Sequence, residues 1–233
     1  MLPKTTHRLL KGLAAGDKNG GPSKLAHLLH NHVKQFGFSQ QGVFNTYYNW
    51  VTTEGFDTGP TLERVCFYVQ GGCSLQQAVE MTHWDMQQRT AGVGPAHRAV
   101  PLALFFSGTE LDDIVYQEAQ VSHFSPLAGE TSIVAVRMCS YLLQGYSLRE
   151  AIAHAGAGIN GVSLQYLHLH QRTRGGFGPK VLQTAVSFLH DASSFAEALQ
   201  TSLDFAGPNN YCPVLVGSIG ACLFPTDEKD QAW

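Results

Sequence analysis

Gly12-Leu-Ala-Ala-Gly16-Asp17-Lys18-Asn19-Gly20-Gly21-Pro22 is the stretch on which the reading of the fold turns. It closes an apolar helical pattern over 6–14 and leads into another over 24–35. Glycine admits positive φ and close backbone approach, and proline presets the first turn of a helix. The segment therefore reads as helix, tight turn, helix. The same grammar recurs at Gly55-Phe-Asp57-Thr-Gly59-Pro60, Gly92-Val-Gly94-Pro95, Gly175-Gly176-Phe177-Gly178-Pro179 and Ala206-Gly207-Pro208-Asn209-Asn210. A helix N-terminus presents free amides and the positive end of a dipole, which suit phosphate or carboxylate. Each loop alone needs no more explanation than ending one helix and starting the next. Five of them in one helical chain predict a shared pocket.

Between these loops the periodicity is helical. Ser74 with Gln77, Ser147 with Glu150 and Ser194 with Glu197 have the spacing of capping boxes, each ahead of an apolar stripe. Thr58 with Pro60 opens a further helix carrying Leu62, Val65, Cys66 and Val69 on one face. Other helices are expected at 42–53, 97–106, 110–119, 129–143, 163–170, 180–190 and 212–223. No alternating pair of segments is joined by Asn-Gly or Asp-Gly, so strand signals are weak. The expected architecture is all-α: one compact domain of ten or more helices over 1–225, with a solvated tail at 226–233.

Composition narrows the function classes. Charged residues make up 14% of the 233, against roughly 25% in an average soluble domain. With 15 Lys and Arg against 18 Asp and Glu, a basic grip on nucleic acid is not expected. No apolar run approaches the ~18 residues of a membrane span, and the first residues lack a signal-peptide core. Five widely spaced cysteines without Cys-x-x-Cys read as reduced, mostly buried thiols of a cytoplasmic protein. Cys212 is a remote candidate nucleophile. His27 and His30 share a helical face, but His32 lies off it and no Cys or Glu completes a tetrahedral set, so zinc is not expected.

Seven segments carry a further signal by their order. They are Gly12–Pro22; Tyr48-Asn-Trp50 with Phe56-Asp57-Thr-Gly59; Gly92-Val-Gly94-Pro-Ala96-His-Arg98-Ala-Val-Pro101; Ser122-His123-Phe-Ser-Pro126; Gly176-Phe177; Ser194-Phe-Ala-Glu-Ala198; and Gly207-Pro-Asn-Asn-Tyr-Cys-Pro-Val-Leu-Val-Gly217. In this order the chain resembles the ADP-ribosylglycohydrolase family, which includes the enzyme that removes ADP-ribose from dinitrogenase reductase. The segments are similar to that family's G-x-x-x-GDALG-x-P, Y-x-x-W…D-x-G, G-N-G-x-x-M-R-x-x-P, TH-x-x-P, Gly-Tyr, S-F-x-E-A and G-DTDT-x-x-x-x-x-G. The resemblance covers nearly the whole chain and implies a compact all-α fold with a central cleft. It also implies a small-molecule or ADP-ribosyl-type ligand.

The chain departs from that pattern where the family holds two Mg²⁺ ions. The family's TDDT position falls on Gly20-Gly21-Pro22-Ser23, and Pro208, Asn210 and Tyr211 stand in place of its DTDT residues. Hard Mg²⁺ requires oxygen ligands in octahedral array, so neither metal nor cofactor is expected. Lys18 stands where the family has Ala and is a candidate for replacing part of the metal charge, or a surface lysine beside a turn. The candidate catalytic residues are Asp57 as acid/base, with Lys18 and His123. Asp57 has the alternative of capping the 60–70 helix. The candidate ligand-binding residues are Asp17, Asn19, Gly94, Arg98, Ser122, Gly176, Phe177 and Asn210. Among them, Asp17 alternatively ties the glycine turn, Arg98 alternatively ties a helix internally, and Phe177 is a stacking or a core aromatic. The function expected is a metal-independent hydrolase of a glycosidic or related bond in a ribose-containing or similar polar ligand. The alternatives are a pseudoenzyme that binds such a ligand, or a structural, crystallin-like member.

Overall fold

The structure, a computed structural model, describes residues 2–162 and 172–224. The helix expected at 163–170 and the tail at 226–233 lie outside the described residues. Among the described residues twelve α-helices follow in chain order: α1 Leu2–Gly16, α2 Gly21–Phe36, α3 Gln40–Thr53, α4 Pro60–Gln70, α5 Leu75–Asp85, α6 Gly94–Ala99, α7 Gly108–Ala119, α8 Pro126–Leu143, α9 Leu148–Ala155, α10 Gly178–Asp191, α11 Phe195–Ala206 and α12 Tyr211–Leu223. Among the described residues the single β-bridge joins Gly92 and Phe177. The all-α expectation holds, and no described helix is long and apolar enough to cross a membrane.

Most helices start where proline or a capping residue puts them. Pro22, Pro60, Pro95, Pro126 and Pro179 sit in first turns, where a missing amide costs nothing. Both partners of the boxes at Ser74–Gln77 and Ser147–Glu150 are in place. The third box is only half made. Ser194 caps Glu197 N, but the Glu197 carboxylate reaches back one residue further, to Ser193 N and Oγ at 2.8 and 2.7 Å. The helix expected at 97–106 is split. It begins at Gly94 and tightens to a 3₁₀ segment at Val100–Leu104, because Pro101 brings no amide to continue the α ladder.

Two apolar clusters form the core. Leu9 and Leu13 of α1 join Val181 and Leu182 of α10 and Leu215 and Ile219 of α12. Leu29 of α2 joins Phe44 of α3, Val65 of α4 and Val115 of α7. Helix α8 serves both, giving Val134 and Met138 to the first and Ile133 and Val136 to the second. A helix apolar on opposite sides belongs in the middle of a bundle.

The opening glycines hold α1 against α12 almost backbone to backbone. A Cβ at Gly16 would stand 2.0 Å from Pro213 O, and one at Gly12 would stand 2.4 Å from Gly217 O. This contact delivers the 17–21 turn to the start of α12, and so brings Asp17 beside Asn210.

Candidate functional site

The site assembles at Asn210, the residue before α12. Its amide orientation is fixed by the network: Oδ1 accepts from Lys18 N at 2.9 Å, so Nδ2 faces the other way. Nδ2 donates to Asp17 Oδ1 and, at 3.3 Å, to Asp57 Oδ2. One amide thus bridges two carboxylates from different loops. The 55–60 loop is held there by close contact: a Cβ at Gly21 would stand 2.2 Å from Asp57 O, and one at Gly20 would stand 3.2 Å from Phe56.

The two carboxylates are in opposite conditions. Asp17 Oδ1 also accepts from Asn19 N (3.2 Å) and Gly20 N (2.9 Å), and its Oδ2 accepts from Ser23 N (2.7 Å) and Ser23 Oγ (2.6 Å). Burial alone would raise its proton affinity, but these bonds, led by those from Ser23 and Asn210, overcome it and hold its pKa below the ordinary value. Asp17 is the knot of the turn, its oxygens filled by the chain's own donors. Asp57 is exposed and adopts φ +46, a left-handed conformation that Asp tolerates better than most residues. Its pKa lies above the ordinary value. Partial burial is the main cause, with the Asp17 and Glu63 charges adding to it, while bonds from Asn210 and Asn19 oppose. Its alternative role as helix cap is not taken: Gly59 occupies the N-cap position of α4.

Lys18 turns away from this pair. Its ammonium donates to Leu203 O at 3.0 Å and to Gly207 O, both at the C-terminal end of α11, where unpaired carbonyls and the negative dipole end attract a cation. The expectation that it acts in the cleft gives way to a capping position.

A second arm runs from the 91–94 loop. Val93 N donates to Gly176 O at 3.1 Å and Gly178 N to Ala91 O at 2.8 Å, so the two glycine segments pair side by side. Gly176 abuts the Tyr211 ring, 3.0 Å from its would-be Cβ, and His97 Nε2 donates to Tyr211 O at 2.8 Å. His123 lies behind Gly92 and Gly94: a Cβ at Gly92 would be 3.1 Å from its Nε2. All five glycine loops therefore meet around Asn210 and Tyr211. They form an open rim, on which Asn19, Asp57 and Phe177 are exposed.

Arg98, expected as a possible phosphate grip, is 1% exposed and bonded inside. Its Nε donates to Glu118 Oε1 at 2.6 Å and its Nη2 to Ser122 Oγ at 2.8 Å, while the guanidinium lies 5.2 Å over the Tyr47 ring. Ser122 Oγ stands 2.8 Å from His123 Nδ1. Oγ accepts from Arg98 and has a second lone pair and one proton to offer Nδ1; in the tautomer where that proton goes to Nδ1, the ring's own proton sits on Nε2, the nitrogen facing the glycines. Burial and the nearby guanidinium both depress the His123 pKa well below the usual value, in agreement with a neutral ring.

Glu118 and Tyr47 were not among the candidates read from sequence. Tyr47 donates to Glu118 Oε1 at 2.8 Å, and the other carboxylate oxygen, Oε2, is buried with no hydrogen-bond partner. The signal was present: Glu118 falls on the apolar stripe of α7 with Leu111, Val115 and Ala119. The exposed rings Phe56 and Tyr211 were also missed, although both sit beside the glycine loops. Cys212 is buried and its thiol is pushed up to about 11, which removes it as a neutral-pH nucleophile.

A compact helical fold whose glycine loops converge on two carboxylates and a bridging amide defines the class. The model of the ADP-ribosylglycohydrolase family matches residues 10–228, and the chain belongs to that family. A solved structure titled "ADP-ribosylglycohydrolase-related protein complex" has the same fold, with a TM-score of 0.76 at 18% identity over 96% of this chain and 89% of that one. No curated protein matches by sequence.

Proposed function

We propose that the protein is a hydrolase that acts on a glycosidic or related bond of a ribose-containing polar ligand, with Asp57 as acid/base and without a dinuclear magnesium site. The observation that carries this is the pairing at Asn210. Of the two carboxylates it bridges, Asp57 is exposed with a raised pKa, while Asp17 is saturated. A carboxyl with raised proton affinity takes and returns protons nearer neutrality than an ordinary one. In the proposed step a water oxygen bonds to the anomeric carbon while Asp57 takes its proton. The bond from that carbon to the leaving group breaks, and Asp57 returns the proton to that group. His123 Nε2–H donates to a ligand oxygen from behind Gly92 and Gly94, and Phe177 and Tyr211 offer exposed rings for stacking.

The residues do not fit the family's metal pair. Mg²⁺ needs several free oxygen ligands, yet Asp17 spends both oxygens on the chain's own donors and an amide NH₂ lies between it and Asp57. No group of three His, Cys, Asp or Glu among the described residues is placed to hold a metal. A cytoplasmic setting belongs to the same proposal, supported by five unpaired thiols, four of them buried.

A second reading, binding without turnover, is favoured by one observation: Asp17, the carboxylate bridged to Asp57, and Lys18, on the same turn as Asp17, are both committed to structural bonds. Titration with ADP-ribose, with and without Mg²⁺, joined to an assay for release from ADP-ribosylated peptide, separates the readings. Binding with turnover, both insensitive to Mg²⁺, supports the hydrolase. Binding without turnover supports the second reading. Binding that requires Mg²⁺ overturns the metal-free site.

A further inference from the structure

A cavity lies away from the glycine loops, between α1 and α2. It holds about 700 Å³, within the range of small-molecule sites. Leu10 of α1, Leu104 of the 3₁₀ segment and Phe105 just after it supply its apolar surface. Lys11 of α1 and Lys34 of α2 stand on its walls. Thr6 and three imidazoles, His7, His27 and His30, add to the polar lining.

The charge of these walls is one-sided. Neither α1, with 15 residues, nor α2, with 16, contains an Asp or Glu; Lys11 and Lys34 are the cations on the cavity wall, while Lys24, also on α2, pairs with Glu54 at 3.7 Å. The whole chain is net −3, so cationic charge is gathered here against the overall balance. The histidines are oriented as well. His27 Nδ1–H donates to Ser23 O at 2.8 Å, and His30 Nδ1 pairs with Asn31 Oδ1 at 3.2 Å. In both rings Nε2 is the nitrogen left for a ligand. The His30 ring also packs 5.3 Å from Phe105, so polar and apolar linings meet at one point.

From this arrangement we infer that the α1–α2 cavity is a second binding site, for a small organic anion: a phosphate or carboxylate on an aromatic or alkyl body. The apolar part lies against Leu10, Leu104 and Phe105. The anionic group sits between Lys11 and Lys34, with imidazole Nε2 atoms as further partners. A low-dielectric surface beside the cations strengthens their attraction for the anion. The site shares no residue with the Asp57 region and is independent of the function proposed there.

Calorimetric titration with 1-naphthyl phosphate, 2-naphthoate, uncharged 1-naphthol and inorganic phosphate tests this. The two naphthyl anions are expected to bind at least tenfold more tightly than either naphthol or inorganic phosphate. Lys11→Glu/Lys34→Glu should weaken the anions at least tenfold with little effect on naphthol, and Leu10→Ala should weaken all three naphthyl compounds. Lys11 and Lys34 are exposed, and the milder Lys11→Ala/Lys34→Ala variant, checked by thermal melting, guards against a folding defect. Asp57→Asn should leave the binding unchanged. No binding of either anion, equal binding of naphthol, or indifference to charge reversal would overturn the proposal. So would loss of binding in Asp57→Asn, which would place the anion in the glycine-loop site.

Discussion

Two polar clusters lie within one fold and obey different rules. The first, Arg98 with Glu118, Tyr47, Ser122 and His123, is buried among the helices, and almost every donor in it meets an acceptor. The second, Asp17 with Asp57, Asn210 and Lys18, lies at a junction of loops, where one carboxylate is saturated and the other faces water. The buried cluster is where the charges stabilise the fold together or not at all. The loop cluster is where a group remains free to meet a ligand. The difference follows from position: helices deliver the first set to the core side of α6 and α7, and glycine turns deliver the second to the surface.

The comparison breaks most sharply at Arg98. In Arg98→Met, Glu118 is left buried without its cation, and the expected loss is about 3–5 kcal/mol in urea denaturation. Asp57→Asn, in the other cluster, is expected to change stability by no more than about 0.5 kcal/mol. Equal losses from the two variants would erase the distinction.

Next in size is the acid response of the buried histidines. The His97 pKa is pushed down to about 4, chiefly by burial and against its bond to Tyr211 O. A folded pKa below the unfolded value of 6.5 means that the fold favours the neutral ring. The stabilisation is complete above pH 6.5 and is lost as pH falls from there toward 4, by about 3 kcal/mol. His123 shifts in the same direction. His97→Gln, which keeps a donor for Tyr211 O, should flatten the pH dependence of denaturation midpoints over that window. An unchanged slope would mean that His97 is not the titrating group.

A smaller effect separates two roles for Lys18. As the cap of α11, Lys18→Met should cost about 1 kcal/mol while leaving any turnover within about threefold. A large fall in turnover with unchanged stability would restore the ammonium to the chemistry. Smaller still for the fold is Phe177, which is 46% exposed. Phe177→Ala should leave the melting temperature alone and weaken ribose-ligand binding by about 0.5–1.5 kcal/mol, roughly two- to tenfold.

The helices were legible because their caps and prolines are local signals. Pro22, Pro60 and Pro179 announced helix starts, and Ser74 and Ser147 announced capping boxes. The convergence of the glycine loops was legible from their repetition. What the residues do at the convergence was not, because it depends on partners far away in sequence. Lys18 meets carbonyls at 203 and 207, and Asp17 meets an amide at 210. Arg98 looked equally suited to phosphate or to an internal tie until Glu118, hidden in the stripe of α7, gave it a buried partner. The half-made box at Ser194 shows the limit of local grammar: Ser193 offered the same carboxylate a competing amide and hydroxyl.

The central claim is that Asp57 acts without a divalent metal. The most direct measurement is the rate of release of ADP-ribose from an ADP-ribosylated peptide in the presence of EDTA, compared between the wild-type chain and Asp57→Asn. The account predicts that wild-type turnover survives the chelator and that Asp57→Asn lowers it at least a hundredfold while the variant remains folded. Turnover abolished by EDTA and restored by Mg²⁺, or an Asp57→Asn rate equal to wild type, would contradict it.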